Sequence, residues 1–122
     1  MTEDALTQGL KKRRQISITV IGRRTGRSIT RPVWFVFEDN ALWLVPVYGS
    51  QTQWYRNLQA HRSITIRVGS ERRELRARLL KNAPAVRKVI RRFREKYTAE
   101  QIERWYTGLD VAVQIPLPTR RT

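Results

Sequence analysis

Two short stretches concentrate the residue types that can do chemistry. The first is Gly22-Arg23-Arg24-Thr25-Gly26-Arg27, followed at once by Arg31 and Pro32. A guanidinium is a rigid fork of N–H donors that pairs bidentately with phosphate or carboxylate. Gly22 and Gly26 free the backbone for φ > 0 and leave amide groups uncovered beside those forks. No acid occurs between Ile16 and Phe37. The stretch therefore suits an anion, though the same residues also suit a plain solvated hairpin tip. The second stretch is Val47-Tyr48-Gly49-Ser50 followed by Trp54-Tyr55-Arg56-Asn57-Leu58. Tyr48 and Tyr55 can each give a proton or a hydrogen bond to a reduced substrate. Packing at a pocket rim is the plainer role for both. Trp54 lies at a helix start beside a Gly-Ser loop and is a candidate pocket wall. Trp34 and Trp43 sit in apolar runs and read as core.

Other chemistries are excluded by what is missing. There is no cysteine, so neither thiolate catalysis nor a disulfide framework is available. The one histidine, His61, cannot build a multi-histidine metal site, and no metal is expected. No acid–base pair stands out. His61 reads as a surface residue at a helix end.

These stretches need elements to hold them. Residues 16–21 alternate Ile16, Ile18 and Val20 with Ser17 and Thr19, a half-buried strand. A second strand near 29–38 is almost wholly apolar at Val33 to Phe37, so both its faces should be covered. Pro32 removes a ladder donor there. A third strand spans 41–47. Ser50 or Thr52 can cap a short helix in which Trp54 and Leu58 share a face. Residues 63–68 and 72–80 alternate about a turn at Gly69 and form a second hairpin. Asn82 caps a helix whose buried stripe is Val86, Val89, Ile90, Phe93 and Tyr97. Thr98 and Gln101 have capping-box spacing for a further helix carrying Ile102, Trp105, Tyr106 and Leu109. Residues 111–117 make a last strand, placed at an edge by Pro116 and Pro118.

The pattern is mainly β with attached α. It predicts six antiparallel strands in a small curved or closed barrel, a short helix after strand three, and helices before the last strand. Residues 16–118 form one domain. A basic arm or short helix (1–15) precedes it and a tail (119–122) follows. The length of 122 residues supports one core. No apolar run approaches the span of a membrane helix and no signal-peptide pattern opens the chain, which points to the cytoplasm.

Charge narrows the partners. Twenty-five basic and ten acidic residues give +15, spread along the chain. Residues 11–14 and 22–31 each contribute +4, while 62–81 and 85–96 each contribute +5. A polyanionic partner follows. Nucleic acid held on the basic helix 84–96 is one candidate. Against it, the aromatics lie in apolar runs and are not interleaved with bases as stacking platforms. A highly charged small molecule is the other candidate.

Taken together, the 22–27 turn, the Pro32 strand, the small-residue end of strand three and Trp54-Tyr55-x-Asn57-Leu58 resemble the deazaflavin-dependent nitroreductase family. The likeness covers roughly residues 16 to 80. It departs at Ala60-His61-Arg62, where members commonly carry Ala-Asn-Pro. The resemblance implies a split β-barrel, related to FMN-binding, pyridoxamine-phosphate-oxidase-like proteins, and a homodimer. It implies an oxidoreductase that binds the deazaflavin coenzyme F420, with FMN as the alternative. Hydride would pass from the reduced coenzyme to a small quinone- or nitro-type acceptor. By the same likeness Arg23, Arg24, Thr25, Arg27, Arg31 and Pro32 would meet the coenzyme's phosphate and acidic tail. Val47, Tyr48, Gly49 and Ser50 would run along its ring or its linker, and Trp54, Tyr55 and Asn57 would close the pocket. Tyr48 and Tyr55 would be the catalytic candidates. A non-catalytic carrier on the same barrel would share all of these features.

Overall fold

The computed structural model describes residues 5–118. The expected tail, 119–122, and the first four residues of the basic arm lie outside them. The rest of that arm is a helix, α1 (Ala5–Lys12), held down by buried Leu6 and Leu10. It packs close to the barrel: a Cβ on Gly9 would stand 2.8 Å from Val68 Cγ1.

Two four-stranded antiparallel sheets follow. The first has the order β2-β1-β5-β6, built from β1 (Gln15–Ile21), β2 (Ser28–Trp34), β5 (Ser63–Val68) and β6 (Glu71–Arg76). The second has the order β3-β4-β8-β7, built from β3 (Val36–Glu38), β4 (Ala41–Leu44), β7 (Arg78–Leu80) and β8 (Ala112–Pro116). The alternating residues of β1, β5, β4 and β8 meet between the sheets, where Ile18, Ile64, Ile66, Leu42, Leu44, Val113 and Ile115 have no solvent exposure. Each such side chain contributes about 1.5–3 kcal/mol of burial.

Eight strands stand where the alternation predicts six. Both extra strands come from a long run that leaves one sheet and enters the other, breaking at Phe35 and at Ala77. Both break residues are buried, so their backbone groups need new partners. The Phe35 amide donates to the Tyr97 hydroxyl at 3.1 Å, and its carbonyl accepts from Lys96 Nζ at 2.7 Å. The Ala77 amide donates to the Arg62 carbonyl at 2.8 Å. Side-chain alternation continues through both breaks, so periodicity could not reveal them.

Helix α3 (Ala83–Tyr97) starts on the Asn82 cap, whose side chain accepts from the Ala85 amide at 3.1 Å. Its apolar stripe builds a second core with Val36, Val45, Ile102, Tyr106 and Ala112. Thr98 caps α4 (Ala99–Trp105) through the Gln101 amide at 3.2 Å. The basic face of α3 is not wholly solvated. Arg92 pairs with Glu38 at 3.5 Å and Asp39 at 2.8 Å and lies 4.5 Å over the Trp43 ring, docking the helix on the β3–β4 turn. Trp43 is thus half-buried, packed against the second core on one side and under a guanidinium. Among the described residues no helix is long and apolar enough to cross a membrane.

Candidate functional site

The turn between β1 and β2 closes on itself. The Gly22 amide donates to the Arg27 carbonyl and the Gly26 amide to the Gly22 carbonyl, both at 2.8 Å. The Arg27 amide donates to Thr25 Oγ1 at 3.2 Å. Gly26 has φ +73, but Gly22 does not need a positive φ. Its surroundings are tight: a Cβ there would meet Thr25 Oγ1, Ile29 Cδ1 and the Arg27 carbonyl at 3.0–3.3 Å. The expectation of open amides is therefore corrected for Gly22, Arg23, Gly26 and Arg27, whose N–H groups are spent within the protein.

Arg23 is held in place. Its amide and Nη1 both donate to Asn57 Oδ1, at 3.1 and 2.8 Å, and Nη2 donates to Gln53 Oε1 at 2.8 Å. These bonds tie the turn to α2 (Gln53–Ala60), where Asn57 is buried. Burial, and then the like charges of Arg56 and Arg24, hold the Arg23 pKa below its ordinary value. The crowding leaves a concentration of positive charge that an anion would relieve.

A cavity of about 500 Å³ opens between this turn and α2. Arg23, Arg24, Thr25, Arg31, Pro32, Val47, Tyr48, Trp54 and Asn57 line it, together with Gly22, Ile29, Thr52 and Gln53. No acid is among them. Nine sequence candidates thus come together from two separate segments, within 22–32 and 47–57.

Four candidates do not reach the cavity. Arg27 is exposed on the turn and is not among the cavity walls. Gly49 and Ser50 instead fasten the loop to the segment before β8. The Ser50 amide donates to Asp110 Oδ1 at 2.9 Å and its hydroxyl to Oδ2 at 2.6 Å. The Thr107 amide donates to the Val47 carbonyl at 2.8 Å. Gly49 has φ +56, and a Cβ on it would stand 1.7 Å from the Gly108 carbonyl oxygen. Burial pushes the Asp110 carboxyl up, but the Ser50 hydroxyl and amide outweigh it and leave the pKa lowered. Tyr55 is fully buried in the barrel core, and its hydroxyl has no partner there. Burial, then Asp110, pushes its phenol up. The expected catalytic role for Tyr55 is corrected to packing.

A second cavity, of about 520 Å³, adjoins the first and shares Pro32, Val47 and Trp54 with it. Its other walls are Gln15, Val33, Trp34, Val45, Trp105 and Tyr106. Trp34 is a wall here and also packs against the second core, its ring stacking on Tyr97 at 4.5 Å. Trp105 is 59% exposed at the mouth. Pocket-forming roles for Trp34, Trp105 and Tyr106 were hidden in sequence because helical and strand spacing already explains each as core.

The first cavity fits an anionic ligand with a flat ring: three guanidinium groups at one side, Trp54 and Val47 at the other, and no carboxylate to repel it. The model of the F420H(2)-dependent quinone reductase family matches residues 2–117. The chain belongs to that family. It is an oxidoreductase of the deazaflavin-dependent kind, with F420 as coenzyme. Comparison with curated proteins gives no match.

Solved structures show the same split barrel. A conserved hypothetical protein, Rv2991 from Mycobacterium tuberculosis, is 18% identical, with TM-score 0.74 over 99% of this chain and 82% of its own. The F420-H2 dependent reductase FDR-A is 18% identical, with TM-score 0.66 over 84% of this chain and 94% of its own. An FAD-binding protein from Mesorhizobium loti is 17% identical, with TM-score 0.66 over 98% and 93%.

Proposed function

We propose that the basic cavity holds reduced F420 and that the aromatic cavity receives a flat acceptor of the quinone type. One observation carries this reading. Two cavities of similar volume, one lined by guanidinium groups and one by aromatic rings, share a single wall of Pro32, Val47 and Trp54. A donor and an acceptor lodged in them would meet across that wall.

The bound reduced coenzyme supplies the hydride. The protein's work is binding, orientation and exclusion of water. Arg24 and Arg31 would hold the anionic end. Arg23, fixed by Asn57 and Gln53, would add charge at a set position. Trp54 and Val47 offer apolar surface to a ring, and the tie between Val47 and Thr107 keeps the two cavities in register. A quinone needs one proton with its hydride. Tyr48 lines the first cavity and is 65% exposed, so its Oη can deliver a proton drawn from solvent. The expected homodimer belongs to the same reading, and exposed Trp105 is the natural residue for a partner subunit to cover.

Titration with F420 and with FMN, followed by tryptophan fluorescence, tests the binding half. Saturable quenching by F420, weakened in Arg24→Ala, is expected; no saturation by either ligand would overturn the reading. Oxidation of F420H2 with quinone and nitroaromatic acceptors tests the rest. Binding without turnover would leave a carrier. Tight, salt-sensitive binding of DNA or RNA, competing with F420, would favour a nucleic-acid module instead.

A further inference from the structure

Six basic residues lie on α3: Arg87, Lys88, Arg91, Arg92, Arg94 and Lys96. The fold divides them. Arg92 is spent on Glu38, Asp39 and the Trp43 ring, and Lys96 on the Phe35 carbonyl. The other four are exposed, and among the described residues none of their side chains has a hydrogen bond or an ion pair. Arg87, Arg91 and Arg94 stand at i, i+4 and i+7 with Lys88 beside them, so the four form one stripe. No acid shares this exposed face before Glu95, and Glu95 pairs with none of them. Like charges at this spacing weaken a helix, and nothing in the fold neutralises them.

We propose that this stripe docks the sugar–phosphate backbone of double-stranded nucleic acid, without reading its sequence. From Arg87 to Arg94 the helix rises about 10 Å. Over that length a duplex presents about six phosphate charges, one per ~1.7 Å of its axis. Each guanidinium fork can pair bidentately with phosphate oxygens. The inner half of α3 is buried in the second core, so the helix lies along the phosphates and does not enter a groove. Three other occupants fit less well. An extended acidic peptide offers about three residues over the same length, with alternate side chains turned away. An anionic membrane is engaged by basic residues together with apolar ones. The exposed large apolar residues, Tyr48 and Trp105, are cavity walls and lie off α3. A second copy in a two-fold contact would set the stripe against itself.

None of the four residues lines either cavity, so the stripe and the coenzyme site can be filled together. This inference does not depend on which coenzyme is bound. Each neutralised phosphate releases condensed counterions. Four contacts should give a slope of log K against log salt of about −3.6, or about −0.9 for each.

The test is fluorescence anisotropy of a labelled, mixed-sequence DNA duplex titrated with the whole chain, with and without saturating F420. Two triple variants are compared. One replaces Arg87, Arg91 and Arg94 by Ala; the other replaces the exposed strand residues Arg67, Arg72 and Arg76 by Thr. Both lose three charges, and the new residues suit a helix and a strand respectively. Urea unfolding checks that each still folds. The α3 variant should bind roughly a hundredfold more weakly at about 0.1 M salt, with a slope shallower by about 2.7. The strand variant should lose less than about threefold, and F420 should not compete. If the triple α3 variant does not fold, Arg91→Ala alone should flatten the slope by about 0.9. Equal losses in the two triple variants would overturn the proposal, because net charge and not this face would be acting. So would an unchanged slope in Arg91→Ala, competition by F420, absence of binding, or tighter binding of polyglutamate than of the duplex.

Discussion

The two cavities have nearly equal volumes and a common wall, yet they are assembled in opposite ways. The basic one is drawn from two contiguous stretches, 22–32 and 47–57. The aromatic one gathers one to three residues from each of five places between Gln15 and Tyr106. An anion site is built from charges, and charges are cheap to place on a local turn that stays in water. An apolar site must be shielded, which requires elements distant in sequence to converge. Chemistry concentrated in the sequence therefore marks one half of the site and leaves the other unmarked.

The largest expected effect breaks both halves together. Gly49→Val sets a side chain against the Gly108 carbonyl at a positive φ, and should destabilise the fold by about 3–5 kcal/mol. Urea unfolding measures it. A loss under about 1 kcal/mol would mean that the 47–52 loop floats free of the segment before β8.

Charge removal should separate the halves. Arg24→Ala and Arg31→Ala should each weaken F420 binding by about 1.5–3 kcal/mol, the scale of a charge-assisted hydrogen bond. Arg27→Ala, outside the cavity, should change it far less. Raising the salt concentration should lower coenzyme affinity and leave acceptor KM unmoved. Equal effects at Arg24 and Arg27 would erase the distinction that the cavity draws between them.

Trp105→Ala probes the other half. It should raise the KM of a quinone acceptor roughly tenfold, about 1.4 kcal/mol, through lost apolar contact, with the F420 Kd unchanged. A change in F420 affinity of the same size would show that the cavities do not act separately.

The smallest effect lies in the tie between them. The Asp110 carboxyl binds its proton less readily in the folded chain than in the unfolded one. The stability it adds is present above the unfolded carboxyl value of about 3.9 and is lost as pH falls through the lower folded value. Unfolding midpoints of wild type and Asp110→Asn should therefore differ at pH 6 and converge at the acid end. A gap that persists at pH 2 would assign Asp110 a role other than its bonds to Ser50.

What the chain declares by itself is what neighbouring residues settle among themselves. Alternation in Ile16–Ile21 and Ser63–Val68, the Asn82 and Thr98 caps, the stripe of α3 and the acid-free basic turn were all legible at that range. Asn57 and Gln53 show the limit, because their hydrogen bonds to Arg23 cross from one segment to another. Only the packed molecule decided that the 29–38 and 72–80 runs break at Phe35 and Ala77, since alternation carries through a change of sheet unaltered. Only packing decided that Arg24 and Arg31 face a cavity while Arg27 does not, and that Tyr55 is core while Trp34 and Trp105 are walls. Side-chain type fixes what a residue can bind; which surface it faces depends on partners far along the chain.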